Sequence, residues 1–225
     1  GRKELVVVRP TPPEATLLLL AASRFGYADE VQRLLQHGAV LDVEDGEELL
    51  HALQGLEAPM IVKAIEAGRN PLCLASLHGH AVVVSLLLQC GASAAFAQQA
   101  RKVARHDTSF GSHVDVPDKK GVTALCHASV AGHCDVVDIL LQAGADVAVL
   151  DCDGDSALFG ASGAGHVSVV ETLRRAGADV AVANKSGITP LHTASACGRL
   201  GTVEVLWREG AELAATGDSG QTALH

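Results

Sequence analysis

The chain has 225 residues, of which 48% are apolar and only 3% aromatic, and its 17 basic and 26 acidic side chains give a formal charge of −9. This apolar fraction excludes a disordered chain. The acidic balance and the lack of a long basic block disfavour nucleic-acid binding and attachment to a membrane surface, because both need clustered positive charge.

Residues 70–100 contain no Asp, Glu, Lys or Arg, so this stretch is where a membrane span could be suspected. Its most apolar part, 81–88, is much shorter than the roughly 20 residues that a span needs. No signal-peptide pattern is visible at the N-terminus. Six cysteines without a CxxC pair indicate reduced thiols. We therefore expect a cytoplasmic protein with no direct membrane insertion, a location that includes membrane-associated and cytoskeletal assemblies.

A pair of glycines twelve residues apart recurs along the chain. The pairs are Gly26/Gly38, Gly79/Gly91, Gly132/Gly144, Gly165/Gly177 and Gly198/Gly210. The last three pairs follow one another at intervals of 33 residues. Between the glycines lie apolar side chains at helical spacing, such as Val136, Val137 and Leu140, which predict an amphipathic helix of about nine residues.

A second short helix is predicted before the first glycine of each pair. Its start is clearest at Thr189, whose side chain can cap the exposed backbone N–H groups, and Pro190, which suits the first helical position. The glycine that follows can adopt the left-handed conformation that ends a helix. Each unit therefore reads as two short helices.

The T-P-L-H-x-A segment at 189–194, the G-A-D-V segments and the 33-residue period closely resemble the ankyrin repeat, and the resemblance covers nearly the whole chain. It implies an all-α fold, an ankyrin-repeat solenoid of stacked helix-turn-helix units with finger loops. Helices this short are unstable alone, so stacking is obligatory. Small residues at Ala128, Ala161 and Ala194 allow the first helices to approach closely.

In chain order we predict an N-terminal extension at 1–16 and an ankyrin domain at 17–225. The predicted repeats are 17–43, 44–70, 71–117, 118–150, 151–183, 184–216 and a partial unit at 217–225. The unit 44–70 is degenerate, with Leu56 and Glu57 where Gly-His is expected, and its link to Pro71 lacks the usual finger loop. Either the link is a true short connection or residues are absent from the sequence.

The unit 71–117 is about twenty residues longer than the period, because its finger is expanded over 94–117. The first half of this insertion contains Arg101, Lys102 and Arg105 and no acidic residue, and a short helix is plausible there. The basic side chains could hold an acidic partner segment or fold back on the solenoid. The competing interpretation is that the insertion arose by chance and is tolerated without a function, because long surface loops cost little closure entropy.

The cysteines, histidines and glycines include the residues that could form a metal or catalytic site. Cys126-His127 and His133-Cys134 would supply soft metal ligands, but they occupy ordinary repeat positions and do not converge as zinc ligands must. The glycine-rich segment 160–165 falls inside a helix and its turn, which favours close packing over phosphate binding. We expect no catalytic residue, no metal or other cofactor, and no small-molecule substrate.

The resemblance implies that partners contact the finger tips and the exposed ends of the first helices. The helix-end candidates are Arg24, Phe25, Leu77, His78 and Val130. The finger candidates, whose charges alternate in sign along the chain, are Lys119, Lys120, Val122, Asp153, Asp155, Lys185 and Ile188. The basic insertion described above completes the set.

The leading functional hypothesis is a non-catalytic module of a larger intracellular scaffold or adaptor that binds a peptide or folded protein domain on its concave face. Two alternatives share this fold: a regulatory segment of an enzyme or ion channel, and the substrate-recognition part of a ubiquitin ligase. Residues 118–121 and 128–135 are similar to one repeat of the TANC-type scaffolds, which combine tetratricopeptide, ankyrin and coiled-coil segments.

Overall fold

The computed structural model describes residues 12–36, 59–89, 113–218 and 220–223. Within these ranges the secondary structure consists of α-helices, one short 3-10 turn at His113–Asp115 and two isolated β-bridges. The helices are α1 Pro12–Phe25, α2 Ala28–Gln36, α3 Pro59–Glu66, α4 Pro71–Leu77, α5 Ala81–Gln89, α6 Ala124–Ala131, α7 Cys134–Gln142, α8 Ala157–Ala164, α9 Val167–Arg175, α10 Pro190–Ala196 and α11 Leu200–Arg208.

Two parallel rows of helices form the body of the molecule. The first helices of the pairs, α1, α4, α6, α8 and α10, pack one on the next, and the second helices, α2, α5, α7, α9 and α11, form the other row. Each second helix has nine residues, as the apolar spacing predicts. Leucines from both rows, including Leu125, Leu140 and Leu158, are almost fully buried in one continuous core. The predicted all-α repeat solenoid is confirmed.

Local sequence rules explain where the first helices begin and end. The side chains of Asn70, Thr123, Ser156 and Thr189 each accept a hydrogen bond from the backbone N–H three residues later. This bond satisfies one of the donors that every helix start leaves unpaired. Gly132 ends α6 with φ of 82°, in the left-handed region that side chains disfavour. The cap at Thr189 and the terminal glycine were predicted from the sequence.

The first helix starts earlier than the repeat pattern indicates. It begins at Pro12, so it crosses the boundary predicted between residues 16 and 17. Proline is tolerated in the first turn of a helix because the N–H that it lacks would have no partner there. The N-terminal prolines therefore extend the helix beyond the repeat unit. The remaining repeat limits stay predictions.

Helix α3 lies outside both rows. Its apolar face, formed by Ile61, Ala64 and Ile65, packs against Leu20 of α1 and Leu74 of α4 in a small separate cluster. Helices α1 and α2 meanwhile contact α4 and α5 directly. The described part of the predicted degenerate unit 44–70 thus covers the first helices from the side, and the neighbouring pairs stack without it.

The sequence analysis predicted that no finger loop precedes Pro71. A turn at Ala67 and Gly68 occupies that position. The backbone N–H of Lys119 donates to the carbonyl of Ala67 at 3.1 Å, which is the bond that joins later fingers to each other. Gly68 has φ of 67°, like the glycines of those fingers. The prediction of an absent finger was wrong, because the turn at the tip of the finger is present and directly follows α3.

Neighbouring helix pairs are joined by a side chain that lies over the glycine ending the preceding first helix. In three junctions the side chain is a histidine whose Nε2–H donates to a carbonyl of that helix: His80 to Arg24 at 2.8 Å, His133 to Leu77 at 3.2 Å and His166 to Val130 at 3.1 Å. In the fourth, Nε of Arg199 donates to Gly163 at 3.1 Å. A Cβ at Gly132 would lie 2.6 Å from the His166 ring, so a side chain there would displace it.

Two glycine substitutions separate the conformational cost at a junction from the packing cost. Gly132 and Gly198 both have positive φ, but a Cβ at Gly198 would meet nothing within 4 Å among the described residues. We expect Gly198→Ala to lower the free energy of unfolding by about 1–2 kcal/mol from backbone strain. We expect Gly132→Ala to cost about 1 kcal/mol more, because the His166 bond is lost. Urea denaturation measures both, and equal losses would contradict the junction assignment.

Candidate functional site

Three fingers are closed by the same hydrogen-bonded turn. The side-chain oxygen of Asp118, Asp151 or Asn184 accepts bonds of 2.9–3.0 Å from the backbone N–H groups two and four residues later. Short polar side chains of this kind favour turns because they bond to their own backbone. Each finger therefore has its own fixed shape before it contacts a neighbour.

One backbone hydrogen bond then joins each finger to the next. The N–H groups of Cys152, Lys185 and Asp218 donate to carbonyls of the preceding finger at 2.9, 3.1 and 3.2 Å. The glycine in each turn permits this approach, since a Cβ at Gly154 would lie 2.9 Å from the Lys185 nitrogen. Gly154 also has φ of 82°. The finger tips form a row with fixed spacing.

The charged residues predicted at the tips are exposed. Lys119, Lys120, Asp153 and Lys185 all reach solvent, and Asp218 continues the row. Nζ of Lys185 donates to the carbonyl of Cys152 at 2.7 Å, which fixes its side chain along the tips. Exposed charges of both signs therefore lie along one edge of the molecule.

The other predicted finger residues lie lower and are half-buried. Val122 packs against the core, and Ile188 lies against Gly217 of the next finger. The carboxylate of Asp155 accepts a 2.9 Å bond from Nδ2 of Asn184. Burial raises the pKa of Asp155, the Asn184 bond offsets part of this rise, and the nearby carboxylates add to it. These three residues support the tips, and their predicted contact with a partner remains a prediction.

Asp118 anchors the first described finger to its helix pair. Its carboxylate, 2% exposed, lies 3.2 Å from Nε2 of His127 and 3.9 Å from Nε of Arg69. Burial alone would raise the pKa of Asp118, but hydrogen bonds from His127 and from the backbone N–H groups of Lys120 and Val122 together outweigh burial. The net result is a pKa below the usual aspartate value, so the carboxylate is charged at neutral pH.

An aromatic patch, Arg24, Phe25 and Tyr27, lies at the end of α1. The side chain of Phe25 is 56% exposed and that of Tyr27 is 62% exposed, with their ring centroids 6.0 Å apart. The Arg24 guanidinium carbon lies 6.0 Å from the Phe25 centroid. The sequence analysis missed Tyr27. This residue follows Gly26 as the junction histidines follow their glycines, but no described helix pair precedes it, so its ring does not cover another helix end.

Leu77 and His78 adjoin the end of α4 and are half-buried. The Nε2 atom of His78 is enclosed and has no hydrogen-bond partner among the described residues. Burial lowers the pKa of His78, and the positive charge of Arg24 lowers it further. The ring is therefore neutral at physiological pH and adds no charge beside Leu77.

From Val130 to Cys197 the ends of the first helices carry small side chains. Val130 itself is 49% exposed. A Cβ at Gly160 would lie 2.5 Å from Cγ2 of Val130, and one at Gly163 would lie 2.9 Å from Oγ1 of Thr193. Both glycines are thus required for close contact between first helices. The prediction that segment 160–165 serves helix packing is confirmed.

The clustered cysteines and histidines each have separate partners. His127 bonds to Asp118, and Nε2 of His133 donates to the carbonyl of Leu77. Burial raises the pKa of the Cys126 thiol, and Cys134 lies 3.6 Å from Oγ1 of Thr172. In the ranges that the structure covers, no group of three or more such side chains could hold a metal ion.

Two further observations concern the part of the chain that the structure describes. No helix within it is both long enough and apolar enough to cross a membrane. The basic residues predicted to contact an acidic partner, Arg101, Lys102 and Arg105, lie outside the described residues.

The Asp118 carboxylate predicts a pH-dependent contribution to stability. A depressed pKa stabilises the fold above the unfolded value of about 3.9 and ceases to do so as the pH falls through the folded value. We expect Asp118→Asn to lower the free energy of unfolding at pH 7 by about 1–2 kcal/mol, with the loss shrinking in acid below pH 4. Asp151→Asn is the matched control, because its turn is the same and no histidine bonds to it. A pH-independent loss in urea titrations would rule out this role.

Comparison with known families agrees with this geometry. The family model for ankyrin repeats matches three times, over residues 3–151, 101–184 and 158–225, so the matches together span nearly the entire sequence. Ankyrin repeats are generally protein–protein interaction modules. The stacked helix pairs, the bonded fingers and these matches place the chain in the ankyrin repeat family.

Proposed function

We propose that this chain is a non-catalytic protein-interaction segment of a larger intracellular scaffold or adaptor. A partner peptide or domain binds its concave face, by which we mean the finger tips and the ends of the first helices. The observation that carries the proposal is the row of fixed, exposed tips together with the exposed apolar side chains at the ends of α1 and α6.

The aromatic patch and Val130 supply the apolar anchors of such an interface. Aromatic and arginine side chains contribute most of the binding energy at protein interfaces when they enter a pocket on the partner. Phe25 and Val130 are about half exposed, whereas the core side chains of the same helices are buried. The charged tips lie beyond the opposite ends of the first helices and supply the polar rim, where charges contribute orientation and specificity more than affinity.

The thiols support a reducing compartment, and hence the cytoplasm, as the location. The five cysteines within the described ranges are free, with Cys73 and Cys126 buried in the core. Burial raises the pKa of both thiols, so neither forms the reactive thiolate readily. Free thiols are typical of proteins outside the secretory pathway.

Charge placed on the anchors should abolish partner binding and leave the fold intact. Phe25→Glu and Val130→Glu each put a carboxylate where we propose that an apolar surface of the partner docks, and burying that unpaired charge is costly. Affinity capture with the 225-residue chain followed by mass spectrometry should retain partners on the wild type that both variants lose, with affinities reduced at least tenfold in follow-up titrations.

The matched control is Val82→Glu, because Val82 is 65% exposed on the second-helix row. It introduces the same charge on a second helix, outside the first helices that carry the anchors, and should retain every partner. Thermal unfolding must show that all three variants fold. Capture of the same partners by Phe25→Glu, Val130→Glu and the wild type would refute binding at this face.

A further inference from the structure

The finger tips carry a charge pattern from which a class of partner follows. Building on the proposed function, we propose that the tips bind an extended peptide segment in which acidic and basic side chains alternate at every third residue. The segment runs along the row from the finger of Lys119 and Lys120 to the finger of Asp218.

Spacing is the first argument. Each finger is held to the next by one backbone bond of 2.9–3.2 Å, and the helices beneath them pack about 8–10 Å apart. An extended peptide in the polyproline II conformation advances about 3.1 Å per residue with three residues per turn, so every third side chain lies on the same side and three residues span about 9 Å. Every third side chain of such a peptide therefore reaches one finger.

The sign of the charge alternates from one finger to the next. The first finger carries Lys119 and Lys120, the second Asp153, the third Lys185 and the fourth Asp218. The complementary partner reads acidic, basic, acidic, basic, with two residues between successive charges. A displacement by one finger would place like charges opposite each other along the whole row, and a displacement by two fingers would keep only two of the four contacts, so this pattern favours a single register.

The charged tip side chains are exposed to solvent, where a partner can reach them. Among the described residues, no ion pair within 4.0 Å joins one tip to another. Lys185 uses one of its ammonium hydrogens to bond the Cys152 carbonyl, and two remain. The half-buried Asp155 carboxylate is engaged by Asn184 and does not belong to the pattern.

Synthetic peptides test the periodicity. One peptide carries Glu, Lys, Glu and Lys separated by pairs of glycine or serine, a second carries the reverse order to allow for the opposite chain direction, and a third clusters the same charges. We expect one of the two alternating peptides to bind at least tenfold more tightly than the clustered one in fluorescence anisotropy at about 20 mM salt. The preference should shrink as salt screens exposed charges.

A charge exchange on the protein tests the contacts themselves. Asp153→Lys combined with Lys185→Asp keeps the net charge and inverts the middle of the row. This variant should lose the preferred peptide and bind tightly a peptide whose two middle charges are exchanged. The control pair, Asp138→Lys with Arg175→Glu, makes an equivalent exchange among exposed residues of the second helices and should keep the original preference.

The outcomes separate this inference from the function on which it rests. Equal binding of alternating and clustered peptides, or an exchange variant with unchanged preference, would overturn the peptide class. If partners that depend on Phe25 are still captured in that case, the interaction function stands and a folded domain is the occupant. Recovery of binding by the exchanged peptide supports the tip contacts directly, since folding defects cannot produce an inverted preference.

Discussion

The contact on which the structure depends is a side chain lying over a left-handed glycine. At each junction between helix pairs, a donor from the second pair reaches past the glycine to a carbonyl of the first, as His166 reaches Val130 past Gly132. The glycine is needed twice, for its positive φ and for the space that a Cβ would occupy. Because the bond fixes the distance between neighbours, the apolar stripes of short helices meet in one register and bury a continuous core.

A second row of glycines repeats this arrangement at the fingers, beyond the other end of the first helices. Gly154 allows the nitrogen of Lys185 to approach the preceding finger, where it donates to Asp153. Two fixed points per neighbouring pair remove both sliding and rotation. The tips and helix ends are therefore held in position before any partner arrives, which lowers the conformational entropy that binding has to overcome.

Features set by local rules were predictable from the sequence, and features set by distant contacts were not. Thr189 and Gly132 follow helix-end rules that need only neighbouring residues. The position of α3 depends on its packing against Leu74, which the repeat pattern cannot indicate. The half-burial of Asp155 likewise depends on Asn184 of the next finger. The candidate site was predictable as a set of tip positions, but which tips remain free was visible only in three dimensions.

The junction with Arg199 shows what the contact requires. Arg199 replaces the histidine, lies over Gly165 and donates from Nε to the carbonyl of Gly163. An arginine is charged at every pH at which proteins fold, whereas a histidine needs only a proton on Nε2 to make the same bond. The shared property is therefore a flat donor that covers the glycine and reaches one carbonyl. Since the junction donors lie at the starts of the second helices and the fingers join through backbone bonds, stacking does not need the charges of the finger tips, and these remain available to select a partner.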